Sequence, residues 1–132
     1  MIVVDASGLY EVITEGPQAE WVREQLTKSD ELFAPELIDV EIGGLLRRDV
    51  AAQVLDSSRA EIALAELIDW PGERIPHRSL NRRVWDLRNN VRTSDAYYVA
   101  LAEVLRCSLL TLDARLSRAS GPQCEFVAPK SR

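Results

Sequence analysis

Four carboxylates in this chain occupy positions where an acid has chemistry to do: Asp5 in MIVVDASGL, Glu41 in PELIDVEIGGLL, Asp95 in RTSDAYYVAL and Asp113 in CSLLTLDARL. Asp5 and Asp113 each end a short apolar run and precede a helical pattern. Ligands of open parallel sheets bind outside the carboxyl ends of the strands, so an acid just past a strand is placed for chemistry. Taken singly, such an acid is more often a helix cap or turn former. Glu41 falls on an inward stripe: at about 100° per residue, Leu37, Ile38 and Leu45 share a face with it. A carboxylate there must be paired, protonated or bound to a metal, and the ordinary alternative to a metal is a buried pair with an arginine such as Arg48. Asp95 opens a helix that is apolar almost all round, with Tyr98, Val99 and Ala102 on its face; there too the ordinary role is a first-turn acid suited to the helix dipole.

Counted together, the four acids point to a common end of one sheet. Two carboxylates about 4 Å apart repel by about 4 kcal/mol at an effective dielectric near 20. Convergence therefore needs a reason, and the usual one is a hard divalent cation, Mg²⁺ or Mn²⁺, which prefers oxygen ligands.

The elements that must position these acids alternate along the chain: a short apolar run, then a longer helical pattern, as in βα units around a parallel sheet. Strands are expected at 2–4, 32–34, 74–75, 108–112 and 125–127, and helices at 7–14, 17–28, 35–48, 50–70 with a break near Asp56, 79–89, 95–106 and 114–119. Pro17 and Pro35 suit positions at or near the first of a helix, and Thr93 or Ser94 suits the cap of the helix that carries Asp95.

A chain of 132 residues with 46% hydrophobic and 28% charged residues has the make-up of one globular domain, spanning 1–132. No apolar run approaches the roughly 18 residues of a membrane span, and the N-terminus lacks a basic region followed by a long apolar stretch, so the expectation is a cytoplasmic protein without a membrane partner. Cys107, Cys124 and the single His77 have no zinc-site spacing, and the two cysteines are expected as buried reduced thiols. The net charge of −5 argues against nucleic acid, but the positive charge is concentrated: Arg74, Arg78, Arg82, Arg83, Arg88 and Arg92 fall in one segment. There Leu80, Val84 and Leu87 form a buried stripe, leaving Arg78, Arg82 and Arg88 on or near exposed faces; Arg82, Arg88 and Arg92 are candidates to meet nucleic-acid phosphates, although exposed arginines often only solubilise. Trp85 is assigned a core or interface role, like Trp21 and Trp70, with base stacking as the alternative.

The four motifs, in their order and spacing, resemble the PIN domain, specifically the VapC-type toxins of toxin-antitoxin pairs, over nearly the whole chain. The resemblance implies an α/β fold, a three-layer α/β/α sandwich around a short, mainly parallel sheet. It also implies a metal-dependent endoribonuclease that hydrolyses RNA phosphodiester bonds, works as a homodimer and is neutralised by a cognate VapB-type antitoxin. Asp5, Glu41, Asp95 and Asp113 carry over as catalytic and metal-holding acids for one or two Mg²⁺ or Mn²⁺ ions. Ser7 and Thr111 are then hydroxyls that orient carboxylates or bound water.

Competing enzyme classes fit less well. A haloacid-dehalogenase-type phosphatase needs a second Asp two residues after the first, where Ser7 stands, and a receiver domain wants a late lysine where LLTLD offers an acid. The alternative from another class is a PIN-like module that binds metal or RNA without cutting. All four acids are present, which argues against it.

Overall fold

Ile2, Val3 and Val4 are β-branched and almost wholly buried, as a strand covered on both faces requires, and they form β1 (Ile2–Val4). In the computed structural model, which describes residues 1–130, β1 is the middle strand of a five-stranded sheet of order β3-β2-β1-β4-β5. The others are β2 (Leu32–Pro35), β3 (Glu73–Ile75), β4 (Ser108–Leu110) and β5 (Phe126–Val127), and every neighbouring pair is parallel. Seven α-helices among the described residues flank the sheet: α1 (Ala6–Ile13), α2 (Ala19–Leu26), α3 (Leu37–Ala51), α4 (Ser57–Asp69), α5 (Asn81–Asp86), α6 (Thr93–Leu105) and α7 (Ala114–Ser117). Helix α6 lies across β2, β1 and β4, with α5 packed on it, while α1 packs with α2, α3 and α4. This is the α/β arrangement expected from the sequence.

The strand order creates the functional end of the molecule. From β1 the chain builds outward to β2 and β3, then crosses back to place β4 on the other side of β1. The order reverses between β1 and β4, and in open parallel sheets the ligand crevice lies outside the carboxyl ends of the strands at such a switch point. Asp5 follows β1, and Asp113 lies three residues beyond the end of β4.

Several local expectations are corrected. Helix α2 starts at Ala19, two residues after Pro17, and Pro35 closes β2 opposite Ile75 instead of opening α3. A proline is tolerated at that strand end because the ladder resumes at Glu36, whose N–H donates to Ile75 O at 2.9 Å. Neither Thr93 nor Ser94 caps α6; the cap position is Arg92, without a side-chain cap bond, and both hydroxyl residues lie in the first turn. The 79–89 helix resolves into a 3₁₀ turn, Arg78–Leu80, followed by the short α5. Trp85 is 59% exposed and so is not a core residue: the inward row is Leu80, Val84 and Leu87, and a residue adjacent to Val84 is rotated off it. Trp21 and Trp70 do pack against the core.

Gly8 shows what the small residues after Asp5 are for. A Cβ at this position would lie 2.5 Å from Leu110 Cδ2. The space is taken by the side chain of β4, so α1 approaches the sheet closely enough to hold Asp5 and Ser7 at the crevice.

Candidate active site

Asp5 is 4% exposed and bound on every side. Its N–H donates to Leu110 O at 3.1 Å, tying β1 to β4, and its carboxylate accepts from Gly8 N at 3.0 Å as the N-cap of α1. Ser7 Oγ donates to Asp5 Oδ1 at 2.6 Å and accepts from Leu112 N at 3.0 Å, so one hydroxyl bridges the ends of the two central strands. Burial pushes the Asp5 carboxyl up to about 6; the Ser7 and Thr111 hydroxyls and the Gly8 N–H oppose this, and the charge of Asp95 adds to it.

Asp113 likewise caps a helix, accepting from Arg115 N at 2.9 Å at the start of α7. Its own N–H donates to Thr111 Oγ1 at 3.0 Å, and Thr111 is fully buried. Both strand-end acids therefore do perform the ordinary capping role. Capping leaves carboxylate lone pairs over, which is how a cap can also face a ligand.

Glu41 sits at the border of the buried row of α3, which runs Ile38, Ile42 and Leu46, with Leu37 and Leu45 half-buried beside it. The spacing of four residues makes that row the inward stripe, so Glu41 flanks it and does not lie in its middle. Arg48 is not its partner, for Arg48 pairs with Asp49 at 3.0 Å. The partner is Tyr98, whose hydroxyl donates to Glu41 Oε1 at 2.5 Å. Burial raises the Glu41 carboxyl, the Tyr98 bond opposes that, and the Asp95 charge raises it further. Tyr98 is 1% exposed, so its phenol is held protonated by burial and by the adjacent acid.

Tyr98 is the side chain in contact with a candidate acid that the sequence reading did not place there. Its position three residues after Asp95 puts both on one face of α6, but that an inward tyrosine on α6 meets an acid on α3 depends on how the two helices sit. Replacing Tyr98 with Phe is expected to cost about 1–2 kcal/mol through the lost donor and to raise the Glu41 carboxyl further. In a pH profile of activity, the acid limb would then move to higher pH; an unmoved limb would show that Glu41 does not govern it.

Asp95 projects from the first turn of α6, and Arg92 Nε donates to its Oδ2 at 3.1 Å. Asp95 and Asp113 line one cavity of about 470 Å³ together with Asn90, Arg92 and Arg115. Asp5 and Glu41 both feel the charge of Asp95, and Arg92 feels those of Asp95, Asp113 and Glu41. The four acids thus share one electrostatic neighbourhood. As the side chains stand, however, no three Asp, Glu, His or Cys groups among the described residues are placed to hold a metal ion.

The arginine-rich segment divides. Arg74 is committed to Asp39 and the Leu67 carbonyl, and Arg83 to Glu103 and the Gly121 carbonyl. Arg82 and Arg88 are exposed, and the Arg88 guanidinium lies 4.5 Å from the centroid of the Trp85 ring. His77 packs edge-on to Tyr97, 5.1 Å between ring centroids. Cys107 and Cys124 are free and partly buried, and burial raises both thiols. No helix among the described residues is long and apolar enough to cross a membrane.

Comparison with known proteins agrees with this architecture. The PIN domain family model matches residues 2–122. Ribonuclease VapC9 of Mycobacterium tuberculosis strain H37Rv is 39% identical over 131 residues, 98% of this chain and 100% of that protein. Ribonuclease VapC1 of the same strain is 39% identical over 125 residues, 94% of each. Among solved structures, VapBC2 from Rickettsia felis bound to a promoter DNA fragment superposes with a TM-score of 0.71 at 11% identity, covering 98% of this chain and 100% of that one. A parallel sheet with acids at its switch point, a family match across most of the chain and full-length relatives at this identity lead to one conclusion: the chain belongs to the PIN-domain family and is of the VapC type.

Proposed function

We propose that this protein is a metal-dependent endoribonuclease toxin, neutralised by a VapB-type antitoxin, and that Asp5, Glu41, Asp95 and Asp113 are its catalytic acids. The observation that carries this reading is the shared neighbourhood of the four: two strand-end acids at the β1/β4 crevice, with Glu41 from α3 and Asp95 from α6 close enough to perturb or be perturbed. The ribonuclease names of relatives at 39% identity support the reaction, and a VapBC structural neighbour supports the partner.

The donor set fits a hard divalent cation, Mg²⁺ or Mn²⁺. All donors are carboxylate oxygens, and the burial penalty at Asp5 and the mutual repulsion with Asp95 are relieved by positive charge. One or two such ions, when bound, supply a more acidic water and stabilise the departing oxygen. The chain's own residues do the rest. Asp5, Glu41, Asp95 and Asp113 hold the charge in place, and Asp95 or Asp113, both lining the cavity, takes the proton of the attacking water. Ser7 fixes the Asp5 carboxylate, Thr111 steadies Asp5 and the turn into Asp113, and Tyr98 fixes Glu41. Arg92, bonded to Asp95, meets the phosphate being cut; Arg82 and Arg88 meet flanking phosphates, with Trp85 beside Arg88. His77, engaged with Tyr97, takes no part. A homodimer working in the cytoplasm, with the whole chain as one nuclease domain, completes the reading.

The test is cleavage of labelled total RNA by antitoxin-free protein in Mg²⁺, in Mn²⁺ and in a chelator. Discrete fragments with 5′-phosphates that disappear on chelation are expected. Cleavage that survives chelation would remove the metal from the mechanism, and folded protein that binds RNA without cutting it would favour the inactive module.

A further inference from the structure

Arg92 has a place in the site that phosphate binding alone does not describe. Its Nε donates to Asp95 Oδ2, and it lines the same cavity as Asp95 and Asp113. Besides Asp95, it senses the charges of Asp113 and Glu41. At the same time the acids are not gathered into a ligand set. Each is held by a donor of the chain: Asp5 by Ser7 and Gly8, Glu41 by Tyr98, Asp113 by the first N–H groups of α7, and Asp95 by Arg92. Of these donors only the Arg92 side chain carries charge.

We propose that Arg92 is a built-in counter-ion, which pairs with Asp95 and offsets part of the charge of the acids while no divalent cation is bound and must swing off Asp95 for the site to take up the metal. This rests on the metal-dependent reading above and deepens it. The anatomy of Arg92 suits such a part. It occupies the extended cap position of α6, with φ −62° and ψ 148°, and makes no cap bond that would anchor its side chain. The side chain is 77% exposed and attached to Asp95 through Nε, so its departure breaks one hydrogen bond. A guanidinium does not lose its proton in this environment, so it cannot yield by titration and has to be displaced. Once displaced, its forked donors are free at the mouth of the cavity, where a phosphate of the RNA would lie. Loading of the cation and exposure of a phosphate-binding group then become one event.

The test is Mn²⁺ binding without RNA, followed by the loss of the free-ion paramagnetic resonance signal, for the parent protein, Arg92→Gln and Arg92→Lys. Removing the competing charge is expected to tighten Mn²⁺ binding by about 1.5- to 5-fold, the range of an exposed ion pair, and Arg92→Lys, which keeps the charge, is expected to stay near the parent. An Arg92→Gln protein that binds Mn²⁺ no tighter than the parent overturns the counter-ion role and leaves the metal-dependent reading standing. If none of the three binds Mn²⁺ while circular dichroism shows them folded, the metal reading falls, and this inference with it.

Discussion

Replacing Asp5 with Asn is expected to slow RNA cleavage by at least about 100-fold, the upper end of what losing a mere supporting partner of a metal ligand costs, and yet to stabilise the metal-free protein at pH 7. The second effect follows from burial. The Asp5 carboxyl rises from 3.8 to about 6 on folding, which corresponds to about 3 kcal/mol. Because the folded value is the higher one, the folded state is favoured while the group is protonated. Stability falls as pH rises from near 4 through 6, and at pH 7 the full penalty is present. Asn has the same shape, still accepts from Gly8 N–H as a helix cap, and carries no charge to bury. Urea denaturation should therefore show the variant more stable by up to about 3 kcal/mol at pH 7, with the gap closing below about pH 4. A variant less stable than the parent at pH 7 would mean that Ser7, Thr111 and Gly8 already compensate the charge. A residue that costs stability where it stands and is required for activity is what a built site predicts.

Leu110→Ala is expected to destabilise the protein by about 3–5 kcal/mol, the cost of a cavity in a well-packed core. Leu110 is fully buried on β4, between β1 and β5, and its Cδ2 fills the space over Gly8. That contact makes a second, more discriminating measurement available. Once Leu110 is truncated, a methyl group at position 8 has room, so Gly8→Ala added to Leu110→Ala should recover part of the loss. In the parent, the same Gly8→Ala change must displace a leucine side chain, and overpacking of that kind costs about 1–3 kcal/mol against a helix-propensity gain of about 1 kcal/mol. The coupling between the two substitutions should be favourable by about 0.5–3 kcal/mol in a double-mutant cycle. Strict additivity would show that α1 does not rest on β4 through this pair. Because Ser7 bridges Asp5 to Leu112 one residue away from the contact, loosening it should also lower cleavage more than the stability loss explains.

The chain itself determined much of this. Buried parallel strands need apolar, β-branched runs, so β1 was legible to the residue, and an acid placed at once after such a run is visible wherever the run is. Asp5 and Asp113 stood out for that reason, and Glu41 and Asp95 because an acid beside a helical apolar stripe breaks a period that one can count. Element ends were less legible: Pro35 is compatible with a strand end or a helix start, and Thr93, Ser94 and Arg92 compete for one cap. Those choices follow from pairing and packing, not from local preference.

Only the tertiary structure decided how the acids are held. The order β3-β2-β1-β4-β5 brings the ends of β1 and β4 side by side, though the two strands are more than a hundred residues apart in sequence. No local pattern encodes that pairing, because it arises from the burial of both strands under α6. Tyr98 meeting Glu41, Ser7 meeting Leu112 N and Arg83 turning away to Glu103 are likewise contacts between distant segments. Residue type sets what a side chain can donate or accept; only the packing of helices and strands sets how deeply Asp5 and Glu41 are buried and which donors lie within 3 Å to oppose that burial.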